Sequence, residues 1–196
     1  MFWRRKLPHW VPDDSIVFVT WRLIGTLPKP EPKLLTHDPG RTFLHQDRQL
    51  DRLESGPRWL TDPRIADLVA EAVLHGERAR GEYELFAWVV MPNHIHIVLK
   101  PNKKLPETMR WLKSATAIRA NQRLGRTGEP FWQREYYDRW IRSGEELTSV
   151  VAYVEANPVK AGFAASPADW PWSSAWNGTG GTTAGAPVSF RIVGQM

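Results

Sequence analysis

Residues 86–99 read Phe86-Ala-Trp-Val-Val-Met-Pro-Asn-His-Ile-His-Ile-Val-Leu99, two apolar runs joined by Met91-Pro92-Asn93. Extended chain on both sides of such a break makes a hairpin, and a strand repeats every two residues. His94 and His96 therefore leave the sheet on one face, while Ile95, Ile97 and Leu99 point the other way, into a core. Two neutral imidazoles side by side on a rigid strand are half of a metal site. A lone His-x-His is also a common accident of packing, so a third ligand and a reacting group are needed from elsewhere in the chain.

Candidates for both occur in Ser143-Gly-Glu-Glu-Leu-Thr-Ser-Val-Val-Ala-Tyr-Val-Glu-Ala-Asn-Pro-Val-Lys160. Ser143 followed by Glu146 reads as a capping box that opens a helix. Pro158 is expected to end it, because the residue before a proline avoids helical geometry. Leu147, Val150, Val151 and Val154 form the buried stripe, and Tyr153 and Asn157, four apart, share a face. That pair lies roughly 80–120° from the centre of the stripe, a flank that suits groups lining a cleft. The plainer reading is that Tyr153 closes the core edge and Asn157 caps the helix.

Outward from the hairpin, Tyr83–Val90 and His94–Lys100 are its two strands, and Ser15–Leu23, rich in β-branched and aromatic residues, is the first strand. Pro63 starts a helix with Ile65, Leu68, Val69, Ala72 and Val73 on one face, ending by Gly81. Leu105–Leu124 is a second helix with Leu105, Met109, Leu112 and Ala115 inward, and Phe131–Ile141 is the fourth strand. The order β-α-β-β-α-β predicts an α+β fold: a ferredoxin-like antiparallel sheet followed by an added C-terminal helix carrying Tyr153. One domain is expected over residues 1–176. Within it, 24–62 is an irregular insertion of prolines and charges with a short helix from Phe43 to Leu53. The stretch 177–196 is low in apolar residues and reads as a disordered tail.

The chain of 196 residues carries 26 Lys and Arg against 21 Asp and Glu, a formal net charge of +5, which favours a polyanionic partner. Absence of cysteine excludes disulfides, thiolate zinc sites and cysteine catalysis. No apolar run approaches the ~20 residues needed to span a bilayer. Met1-Phe-Trp-Arg-Arg-Lys6 leads into Pro8, His9 and Trp10 and not into a signal-peptide core, so a cytoplasmic location is expected. Of eleven tryptophans, Trp88 belongs to the core; Trp3, Trp10 and Trp111 sit beside basic residues, where aromatic faces suit unstacked bases.

Ala87-Trp-Val-Val-Met-Pro-Asn-His-Ile-His96, Phe131-Trp-Gln-Arg-Glu-Tyr-Tyr-Asp-Arg139 and Tyr153-Val-Glu-Ala-Asn-Pro-Val-Lys-Ala-Gly162, in that order, resemble the REP-associated tyrosine transposases. So does Asp169-Trp-Pro-Trp-Ser-Ser-Ala175, and together the resemblance spans roughly residues 10–176. These proteins belong to the single-tyrosine HUH transposases, metal-dependent nucleases acting on single-stranded DNA. The resemblance implies that His94 and His96 bind a divalent cation, Mg²⁺ or Mn²⁺, that Tyr153 is the nucleophile, and that the Asn157 amide completes the metal site. Relatives in the wider class carry Gln at that last position. It also implies a 5′-phosphotyrosine intermediate and a palindromic hairpin DNA with a single-stranded tag.

Arg4, Arg5, Lys6, Trp10, Lys103, Lys104, Lys113, Arg119 and Lys160 are the expected DNA contacts, forming a basic groove beside the histidines. Tyr136 and Tyr137 are rival nucleophiles, disfavoured by their strand position, and Asp138 is a further ligand or an ion-pair partner for Arg139 or Arg142. The competing functions are a hairpin-binding module without cleavage and a metal hydrolase using activated water. A monomer close to the nucleoid is the expected state.

Overall fold

The computed structural model describes residues 12, 14–26, 47, 49–51 and 56–177. Its strands are β1 (Val17–Arg22), β2 (Tyr83–Val90), β3 (His94–Pro101) and β4 (Tyr137–Trp140). Helix α1 (Pro63–Arg78) joins β1 to β2 and α2 (Leu105–Arg123) joins β3 to β4; α3 (Gly144–Glu155) and a short α4 (Asn157–Lys160) follow. The strands form one antiparallel sheet in the order β2-β3-β1-β4, so the predicted β-α-β-β-α-β succession with its added helix is the observed α+β fold. Among the described residues no helix is long and apolar enough to cross a membrane. The predicted tail beyond Asn177, the N-terminal residues Arg4, Arg5, Lys6 and Trp10, and most of the 24–62 insertion lie outside the described residues.

Strand alternation divides the sheet into two chemically different faces. Val17, Val19, Trp21, Ile95, Ile97 and Leu99 pack with Ile65, Leu68, Val69, Met109 and Leu112 of α1 and α2 in the larger core. Each such aliphatic side chain contributes ~1.5–3 kcal/mol when fully buried. Phe18, Val98, Ala87, Val89 and Ile141 face the other way and are covered by Leu147, Val150, Val151 and Val154 of α3. His94 and His96 share this second face, fully buried. In β2 the alternation breaks once: Leu85 pairs with Leu99 and Ala87 with Val98, leaving Phe86 as a bulge.

Helix ends follow local chemistry. The Asp62 carboxylate accepts from Arg64 N–H ahead of Pro63, and Ser143 Oγ accepts from Glu146 N–H at 3.1 Å. Glu146 does not complete the reciprocal capping box; it accepts from Arg142 N–H and pairs with Arg139. Pro158 does not mark the helix end. Helix α3 stops at Glu155, three residues earlier, and Pro158 sits in the first turn of α4, where a missing N–H costs no hydrogen bond.

The fourth strand is shorter than the expected 131–141. Thr20 faces Tyr137 but Leu23 faces Trp132, so three steps from Thr20 match five on the facing segment. The surplus residues bulge outward, and Lys113 Nζ donates to the carbonyls of Gln133 and Arg134, both at 2.7 Å. At the opposite edge the Asp169–Ala175 segment seals β2. Val90 N–H donates to Trp172 O, Ser174 N–H to Trp88 O, and Trp170 Nε1–H to Val90 O. An unpaired edge is thereby closed.

Candidate active site

The buried face of β3 meets α3 and the helical residues 47 and 49–51. His94 Nε2 lies 3.0 Å from His96 Nε2. Asp47 Oδ1 lies 3.2 Å from His96 Nε2 and 3.8 Å from His94 Nε2, and Asp51 Oδ1 is 3.8 Å from His94 Nε2. The donor atoms of Asp47, His94 and His96 fall within 4.8 Å of one another, an arrangement able to hold a metal ion. Tyr153 joins them from α3, its hydroxyl donating to Asp47 Oδ2 and its ring 6.0 Å from that of His96.

Supporting contacts determine which ring nitrogens are free. Asn93 Nδ2 donates to Leu50 O at 3.0 Å, which turns its Oδ1 toward His94 Nδ1 at 2.7 Å. An amide oxygen only accepts, so His94 carries its proton on Nδ1 and presents a lone pair on Nε2. Burial, and next the proximity of His96, push the His94 imidazole down to about 3, so it is neutral. Thr20 Oγ1 lies 2.7 Å from His96 Nδ1 and holds the orientation of the second ring.

The two acids are tuned in opposite directions. Burial raises Asp47, but His96, then His94 and the Tyr153 hydroxyl outweigh it and hold this carboxyl well below its usual range. Burial, and next the Asp47 charge, push Asp51 up to about 7. Four buried side-chain atoms of this region have no hydrogen-bond partner: Asp47 Oδ1, Asp51 Oδ1 and both amide atoms of Asn157. Buried carboxylate oxygens beside the His94 lone pair have the chemistry to accept a cation.

The structure thus brings His94, His96 and Tyr153 together, and leaves Asn157 buried two residues past the end of α3 without a hydrogen bond to either histidine. Asn157 does not cap α3; that position belongs to Ala156. Lys160 reaches the site from α4, its Nζ 4.3 Å from the centre of the Tyr153 ring. The other described cations do not form a groove beside the histidines. Lys103 pairs with Glu82 at 3.0 Å, and Lys103 and Lys104 line a recess of about 580 Å³ at the far end of β3. Lys113 closes the bulge before β4, and Arg119 lies 3.7 Å from Glu71 on the helical face. Trp111 is partly buried against the larger core and carries Arg80 over its ring at 4.6 Å. Tyr136 is buried in the larger core, on the opposite face from the histidines. Arg139 takes Glu146 as its ion-pair partner.

Asp47 was not among the sequence-derived site residues. Its signal is faint: Asp47 and Asp51 stand one helical turn apart around the buried Leu50, within the short helix expected from Phe43 to Leu53.

An antiparallel sheet with a buried His-x-His pair and a tyrosine on an added helix sets two candidate metal ligands beside a candidate nucleophile. The family model described as IS200-like transposase matches residues 60–157, half of the sequence, and the chain belongs to that family. It is 29% identical over 112 residues to the REP-associated tyrosine transposase of Escherichia coli strain K12, covering 55% of this chain and 62% of that protein. It is 28% identical over 108 residues to a putative REP-associated tyrosine transposase of Haemophilus influenzae, covering 47% of this chain and 58% of that one. The match therefore spans about three fifths of these relatives. A solved REP-associated tyrosine transposase bound to a REP hairpin superposes with a TM-score of 0.53 at 18% identity, covering 95% of this chain and all of that one, a likeness of fold.

Proposed function

We propose that this protein is a metal-dependent endonuclease and strand transferase acting on single-stranded hairpin DNA, with Tyr153 as nucleophile. The carrying observation is the convergence of a buried His pair, buried carboxylate oxygens and a tyrosine hydroxyl at one spot. His94 and His96 would hold Mg²⁺ or Mn²⁺, Mn²⁺ matching imidazole better, and Asn157 remains a candidate for the same shell. When bound, the cation would polarise the scissile phosphate and neutralise its charge.

Tyr153 Oη attacks phosphorus in line, the bond to the 3′ oxygen breaks, and a 5′-phosphotyrosine and a free 3′-hydroxyl result. A free phenol has a pKa near 10; here the hydroxyl already donates to a carboxylate, which gives its proton a direction of departure. Attack of a 3′-hydroxyl on the phosphotyrosine rejoins the strand and returns the phenol. Lys160 beside the Tyr153 ring suits a contact to the flanking phosphate. Histidines and tyrosine reach one another within a single chain, which supports a self-sufficient monomer.

Labelled hairpin oligonucleotide, incubated with the protein and Mn²⁺ and run on a denaturing gel, should give a covalent band that Tyr153→Phe lacks. Bound but intact DNA would point instead to a binding module, and cut DNA without adduct to a hydrolase using water.

A further inference from the structure

Two imidazole nitrogens make a weak site for a hard divalent cation unless an anionic oxygen joins them. We propose that Asp47 is this ligand: its Oδ1 completes a two-histidine, one-carboxylate face with His94 and His96, while its Oδ2 holds the Tyr153 hydroxyl, so that one carboxylate ties the cation to the nucleophile. The proposal rests on the reading of the site as a metal centre.

Three independent observations converge on it. Asp47 Oδ1 is buried and faces both Nε2 atoms, at 3.2 and 3.8 Å. The other oxygen of the same carboxylate is occupied by Tyr153, which leaves Oδ1 as the free donor. Asn93 turns the His94 lone pair into the same space, and it does so by anchoring its amide on Leu50, within the stretch that carries Asp47. Enclosing two carboxylates, Asp47 and Asp51, among buried side chains is costly without a compensating positive charge. A divalent cation between the histidines supplies it.

Asp47 also lies ahead of residues 60–157, the part matched by the family model. The third ligand then comes from outside the shared segment. Asp47 positions Tyr153 relative to the cation; it need not contact DNA.

Mn²⁺ binding to the full chain, followed by electron paramagnetic resonance and calorimetry, tests this without cleavage. Asp47→Asn, close in shape, should weaken Mn²⁺ binding at least ~10-fold, the low end of what altering a ligand's surroundings does. Asp47→Glu should recover part of the loss. Wild-type affinity in Asp47→Asn, with binding lost in the double variant His94→Ala, His96→Ala, would overturn the role of Asp47 and leave the metal centre standing. Failure of the wild-type chain to bind Mn²⁺ would overturn both. Should Asp47→Asn not fold, anomalous scattering from Mn²⁺ in wild-type crystals decides: an ion bonded to the histidines but not to Asp47 Oδ1 refutes the proposal.

Discussion

Gly76 shows how a single missing side chain supports the larger core. It lies on α1 under the Tyr83 ring, and a Cβ there would stand 2.7 Å from Tyr83 Cζ and 2.9 Å from the Trp111 ring. The bare backbone lets the Tyr83 hydroxyl donate to Val73 O at 2.6 Å. In an exposed helix, glycine to alanine gains up to ~1 kcal/mol. Here the sign should reverse: Gly76→Ala should destabilise by ~1–3 kcal/mol, since the ring must move and its hydrogen bond weakens. Urea titration of the variant checks it. Residue identity also limited what could be read in advance. His94 and His96 stand out because imidazoles are rare in an apolar strand, whereas Asp47 is one charge among many in a stretch whose periodicity is short. Only the folded chain shows that its oxygens face the histidines.

At the scale of elements, the closing motif Asp169–Ala175 behaves as an extra edge of the sheet. Trp172 packs on the larger core and its Nε1–H donates to Asp67 on α1, while Ser174 Oγ donates to Glu155 on α3. The segment therefore clasps both layers to β2. Trp172→Ala should cost ~3–5 kcal/mol and lower the denaturation midpoint, with Mn²⁺ affinity retained in the folded fraction. Elements with strong local signals were legible: β2, β3, α1 and α2 begin where alternation, stripe and Pro63 place them. The shortening of β4 was not, because it depends on Lys113 reaching across from α2 to the bulged carbonyls. Nor was the break between α3 and α4, where Pro158 is compatible with both a stop and a fresh start.

For the whole molecule, a cation bound only by the folded chain must stabilise it. At a hundredfold excess over its dissociation constant Mn²⁺ should add ~2.7 kcal/mol, a rise in Tm of roughly 5–11 °C for a domain of this size. A melt with and without chelator checks this, and the double variant His94→Ala, His96→Ala should show no shift. The sheet also carries a consequence for how such a centre can change. Ile95 and Ile97 have no part in the chemistry, yet their demand for the oily side of β3 is what aims the intervening imidazoles. A slip of one residue in the pairing of β1 with β3 would hand isoleucines to the cation and histidines to the helices. Selection for solubility and selection for cleavage thus act on the same alternation, and the grease of the strand is the sighting device of its reactive groups.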